Sequence, residues 1–152
     1  VKDEHIAKLK QVQSAIQSSS ATSRVYVGCD SKRSRKTGEV KYATVVILHF
    51  DGKHGAKMWS FIDNEMDYSP ATKPRMRLIT EAYKAVNIAS QIVDVVGDRH
   101  FEIHLDLNTN PKHKSNLAVK EALGYVIGVL GFDAKLKPEA WASSSAADKL
   151  VQ

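Results

Sequence analysis

Apolar positions along the chain fall into helical, alternating and continuous patterns, and each predicts its own kind of element. From Val1 to about Ser18, the residues Ile6, Leu9, Val12 and Ile16 recur at helical spacing among Lys, Gln and Glu, which predicts an amphipathic helix. The run Ser18-Ser19-Ser20-Ala21-Thr22-Ser23 breaks that pattern and reads as a linker. The expected organisation is therefore an N-terminal helix and Ser-rich linker over residues 1–22, followed by one folded domain over residues 23–152.

Arg24 to Asp30 (RVYVGCD) is a β-rich run, and the basic stretch Lys32 to Gly38 reads as the loop after it. Lys41 to Phe50 predicts a second strand, whose Val-Val-Ile-Leu centre suggests burial on both faces. Asp51-Gly52 is a hairpin signal leading to a third strand around Ala56 to Ile62, closed by a turn-rich stretch through Tyr68, Ser69 and Pro70. Pro74 suits the first turn of a helix. From there Leu78, Ala82, Ala85, Ala89, Ile92, Val93 and Val96 make one apolar stripe, ended by Gly97-Asp98. Phe101 to Leu107 (FEIHLDL) alternates, with Phe101, Ile103, Leu105 and Leu107 on one face and Glu102, His104 and Asp106 on the other. A polar loop from Asn108 to Lys114 precedes a helix from about Ser115 to Leu130, with Gly131 as its stop. Phe132 to Lys137 predicts a fifth strand, and Pro138-Glu139 opens a final helix.

The order β-β-β-α-β-α-β-α predicts an antiparallel meander of three strands, with the later strands brought in parallel by helical crossovers. The fold class is α/β, a mixed sheet flanked by helices. A chain of 152 residues fits one domain, and its 43% hydrophobic and 26% charged residues are ordinary for a globular protein. No apolar run approaches the ~20 residues of a membrane span, and no signal-peptide pattern opens the chain. Cys29 is the one cysteine, which excludes an internal disulfide and four-cysteine zinc sites and makes the cytoplasm the expected compartment. The formal charge of +5, from 22 Lys and Arg against 17 Asp and Glu, is compatible with a polyanionic partner.

Asp30 ends the first predicted strand and Asp106 lies near the end of the fourth. If those strands are parallel neighbours, about 4.8 Å apart, the two carboxylates sit side by side at the C-terminal edge, where open α/β sheets gather ligands. Such close carboxylates repel, so a shared proton or a cation must compensate, and magnesium or manganese suits an all-oxygen site. Each Asp taken alone is better read as a turn residue, and only the two together, on neighbouring strands, balance that reading. Glu81 falls at the border of the apolar stripe of its helix, with a salt bridge to Arg77 or Lys84 as the alternative. Asp148, seven residues after Trp141, shares a helix face with it and with Ser144 and Ser145.

Three segments carry a family resemblance: VYVGCDSK at Val25 to Lys32, EIHLDLNTNPKHKS at Glu102 to Ser115, and KLKPEAWASSSAADKL at Lys135 to Leu150. Together with RLITEAY at Arg77 to Tyr83, they resemble the ribonuclease H-like superfamily, and within it the YkuK-type group of predicted nucleases. The resemblance implies a five-stranded sheet of order 3-2-1-4-5. It also implies a two-metal site carried by the first-strand Asp, a Glu of the first crossover helix, the fourth-strand Asp and an acidic residue of the last helix. Those positions fall on Asp30, Glu81, Asp106 and Asp148.

The expected activity is phosphodiester hydrolysis by two Mg²⁺ or Mn²⁺ ions ~4 Å apart, with Asp30 bridging, Asp106 and Glu81 on one ion and Asp148 on the other. Lys32, Arg33, Arg35 and Lys36, and then Lys112, His113 and Lys114, follow the two aspartates in sequence. They suit the phosphates of a nucleic acid, DNA or RNA, or else serve solubility. His104 reads as a packed or solvated face residue, Cys29 as core, and Trp59 and Trp141 as packing residues. The rival function is a non-catalytic ribonuclease H-like module that binds nucleic acid or a protein partner, with a small-phosphoester hydrolase behind it. The N-terminal helix has its own domain or a second copy of the chain as packing partners.

Overall fold

The structure, a computed structural model, describes residues 3–52, 55–67, 75–106, 116–136 and 141–151, without the side chains of 75, 116–118, 143–145 and 148. The described elements are α1 (Asp3–Ser18), β1 (Arg24–Arg33), β2 (Glu39–His49), β3 (Ala56–Met66), α2 (Arg75–Val96), β4 (His100–Leu105), α3 (Asn116–Leu130) and α4 (Asp148–Val151). A π-helical segment, Ala142–Ala147, leads directly into α4.

The sheet has the order β3-β2-β1-β4, antiparallel across the first three strands and parallel between β1 and β4. The meander and the parallel crossover therefore stand as the sequence pattern predicts. The fifth strand does not. Among the described residues, its segment contributes a single parallel bridge, His104↔Lys135, in which Lys135 donates to Ile103 O at 2.8 Å and receives from Leu105 N at 2.9 Å. Lys135 lies beside β4, on the side the order 3-2-1-4-5 requires, but Asp133, Ala134 and Lys135 are poor strand formers and do not extend the ladder. Phe132, Ala134 and Leu136 still pack onto the core.

Two faces of the sheet are covered. Val25, Val27 and Cys29 of β1, with Ile103 and Leu105 of β4, meet Ala82, Ala85, Ala89 and Ile92 of α2, and Val119, Ala122 and Val126 of α3. Leu9, Val12 and Ile16 of α1 belong to the same core. On the opposite face Tyr26, Val45 and Ile47 are closed over by Ala142 and Ala147. The central residues of β2 are thus buried on both sides, as its continuous apolar run predicts.

Local corrections follow from where the strands end. The basic stretch expected as a loop is partly strand: β1 runs on through Lys32 and Arg33, paired with Lys41 and Val40. The turn is confined to residues 34–38, with Gly38 at φ +74 and its N–H bonded to Ser34 O at 3.0 Å. At the other hairpin, Phe50–Gly52 forms a 3₁₀ turn with Asp51 at φ 50. Gly97 (φ +56) and Gly131 (φ +82) end α2 and α3 in the left-handed conformation expected of helix stops.

Candidate metal centre and nucleic-acid face

The parallel register of β1 and β4 runs from Arg24↔His100 to Cys29↔Leu105. One step further along both chains come Asp30 and Asp106, so the two aspartates are neighbours at the C-terminal edge, about 4.8 Å apart between strands. Side-chain alternation turns both toward the face of Tyr26 and His104, away from Cys29 and Leu105. Asp30 is 8% exposed, and its Oδ1 accepts the Ser31 N–H at 2.8 Å. Asp106 is half-buried, just past the end of β4.

Glu81 reaches the same edge from α2 and is 5% exposed. Burial, and then the charges of Asp30 and Asp106, push its carboxyl well above the usual range, against the easing influence of Arg77 and the Ser31 hydroxyl. The salt bridge to Lys84 does not form, because Lys84 turns to Glu65 at 3.0 Å and Asp63 at 3.4 Å. Cys29 is a buried core thiol, its pKa raised by burial and by Glu81.

Asp148 begins α4, which packs against β1 and β2. Its side chain lies outside the described residues, as do Lys112, His113 and Lys114. The segment between Trp141 and α4 is π-helical rather than α-helical. Trp141 packs on Tyr26, ring centroids 4.7 Å apart, and edge-on to His104 at 5.2 Å.

His104 has a structural part that its position on the strand does not announce. It is fully buried, its Nδ1 accepts the Ala142 N–H at 3.0 Å, and its Nε2 lies 3.2 Å from Glu102 Oε1. An N–H donor on Nδ1 leaves the proton on Nε2, which donates to the carboxylate. Burial lowers the His104 pKa against the pull of Glu102. Burial raises Glu102, but hydrogen bonds with His100 and His104 outweigh it and hold the carboxyl below the usual range. This polar pair pins the start of the segment that leads to Asp148.

Three carboxylates from separate elements lie toward one sheet edge, oxygen donors of the kind a hard cation takes, and burial disfavours the charge of Glu81 unless a cation compensates it. Among the described residues, no three His, Cys, Asp or Glu side chains converge closely enough to hold an ion. Of the basic candidates, Lys32 and Arg35 are exposed, and Arg33 pairs with Asp67 at 3.6 Å.

The family described as Ribonuclease H-like matches residues 7–152. The chain belongs to it. That membership agrees with the YkuK-type resemblance of the three segments and spans α1 as well as the sheet. Comparison with curated proteins and with solved structures yields no match. This ribonuclease H-like chain shows, among the described residues, no helix long and apolar enough to cross a membrane.

Proposed function

We propose that this ribonuclease H-like chain is a divalent-metal-dependent nuclease that hydrolyses phosphodiester bonds of nucleic acid. The observation that carries the reading is the meeting of Asp30 and Asp106 at one strand edge with the buried Glu81, whose carboxyl both aspartates push upward. In this reading Asp30 would serve both ions, Asp106 and Glu81 would hold one, and Asp148 would hold the other. Mg²⁺ or Mn²⁺ bound there would supply an activated water and stabilise the departing oxygen. The chain's own part is to fix the ligands: Ser31 N–H orients Asp30, and the His104–Ala142 hydrogen bond holds the approach to Asp148. Lys32, Arg35, Lys112 and Lys114 would hold phosphates, with Arg33 restrained by Asp67. The buried free thiol of Cys29 supports a reducing, cytoplasmic setting.

The second reading, a non-catalytic module binding nucleic acid or a protein, is favoured by one observation: no three metal-ligand side chains converge among the described residues. One experiment separates the two. The purified protein is given Mg²⁺ or Mn²⁺ with labelled single-stranded, duplex, RNA–DNA hybrid and branched substrates, beside Asp30→Asn and Asp106→Asn. The nuclease reading expects metal-dependent cleavage that falls by about 10³-fold or more in both variants, the loss of several kcal/mol of charge stabilisation. No cleavage and no metal bound at millimolar concentration leaves the binding module.

A further inference from the structure

We propose that the groove between the β1–β2 hairpin and α4 is a subsite for the sugar–phosphate backbone of nucleic acid, one nucleotide away from the bond held at Asp30. The inference rests on the nucleic-acid reading above and adds a place and two residues, Lys41 and Asn64, that no motif marks. The groove has a volume of about 450 Å³, and Lys32, Lys41, Asn64, Thr37, Glu39 and Val151 are among its lining residues.

Its floor is set by strand register. Lys32 pairs with Lys41, and Lys41 pairs with Asn64, so the three form one cross-strand row. That row spans about 10 Å over three strands at ~4.8 Å spacing. Asp30 lies two residues before Lys32 on the same face of β1, about 6.5 Å along the strand. On the opposite wall, Val151 lies three residues after Asp148, one turn along α4. The groove thus adjoins the candidate centre through two separate elements. Successive phosphates of an extended single strand are separated by a span comparable to the step from Asp30 to Lys32.

The lining chemistry fits a phosphodiester. Arg33 is engaged with Asp67, whereas Lys32 and Lys41 are in no ion pair with a described residue, and Glu39 is the carboxylate they face. Two ammonium groups, an amide and a hydroxyl offer donors to phosphate oxygens, and none of the described lining residues is an aromatic platform for a base. Such contacts hold the backbone without reading sequence.

The test uses the full chain carrying Asp30→Asn, so that binding is read without cleavage. Fluorescein-labelled single-stranded probes of one sequence, one DNA and one RNA, are titrated by polarisation across a series of salt concentrations. Adding Lys32→Gln and Lys41→Gln together weakens binding of both probes by about tenfold and lowers the salt slope by about 1.4, at ~0.7 per phosphate contact. Lys32→Gln alone, at an exposed position, lowers the slope by about 0.7 should the double variant fail to fold. Lys10→Gln on α1 is the charge-matched control. Unchanged affinity and slope, or a loss no greater than the control's, overturns the subsite. A loss confined to the RNA probe assigns the groove to the ribose and overturns the phosphate reading. Absence of cleavage by the wild type would defeat the nuclease reading and leave this binding result standing.

Discussion

Ala142 donates its backbone N–H to Nδ1 of His104 at 3.0 Å, and that contact joins β4 to the segment leading to Asp148. Replacing His104 with Ala frees a buried N–H and opens space beneath Trp141 and Tyr26, so urea denaturation should show a loss of about 3 kcal/mol. Amide exchange in Asp148–Val151 should rise more than exchange in β2.

The same histidine gives a pH dependence. Its native pKa lies below the ordinary 6.5, so the unfolded chain binds the proton first as the solution is acidified. The stability it contributes is complete above pH ~6.5 and is lost as pH falls from there toward the depressed native value. Glu102 adds its own loss only lower, below its ordinary 4.5. Urea midpoints between pH 7 and pH 5 should therefore fall in the wild type and flatten in His104→Gln. An equal slope in both would assign the effect to other groups.

Glu81 works in the opposite sense. Its native carboxyl is raised above the ordinary 4.5, so the folded chain holds the proton longer than the unfolded one. The stability linked to this group is complete below pH ~4.5 and is lost as pH rises toward the raised native value. In EDTA at pH 8, Glu81→Gln should melt above the wild type, with the difference shrinking near pH 4. A bound cation reverses the ranking. Metal at about a hundred times its dissociation constant stabilises by about 2.7 kcal/mol, and Glu81→Gln should forfeit most of that gain.

Cys29 supplies an internal clock for unfolding. The thiol is 1% exposed, and burial followed by Glu81 raises its pKa, so little thiolate exists in the native state. Alkylation should follow the rate or extent of opening, accelerate in urea with the unfolding transition, and be abolished in Cys29→Val. That variant should cost less than about 1.5 kcal/mol, because it exchanges one small apolar side chain for another. Rapid labelling of the native protein would contradict the burial.

Much of this was legible in the chain because periodicity and parity are local. The alternation of FEIHLDL fixes His104 and Asp106 on one face and Ile103 and Leu105 on the other, and parallel pairing then sets Asp106 beside Asp30. Helix register set Glu81 only at the border of the apolar stripe of its helix, and the packing of α2 on the sheet is what buries it. What could not be read were facts set by distant partners. Lys41 and Asn64 become neighbours of Lys32 only through antiparallel register, which no single segment carries. The run Phe132 to Lys137 has strand-like alternation, yet its pairing with β4 depends on what the edge offers, and one bridge forms. The π-helical segment leaves no sequence signal comparable to a proline, so the final helix reads as continuous where the chain has Ala142–Ala147 in π form.

Asp51 shows how a local strain is held in place by a distant contact. It adopts φ 50, ψ 20, a conformation that costs an ordinary L-residue about 1 kcal/mol or more. Its Oδ1 accepts the hydroxyls of Ser20 and Thr22, which fastens the Ser-rich segment after α1 to the β2–β3 hairpin. Arg99 holds the same segment through Ser19 O at 2.8 Å and Ser20 O at 3.1 Å. The two effects separate by substitution. Asp51→Asn keeps an acceptor and tolerates the left-handed region, so it should stay within about 0.5 kcal/mol of wild type. Asp51→Gly relieves the strain but loses the hydroxyl contacts and should lose about 1 kcal/mol or less, while Asp51→Ala suffers both and should lose about 2 kcal/mol. Urea denaturation ranks them. A glycine variant more stable than wild type would mean that the strain outweighs the tether to Ser20 and Thr22.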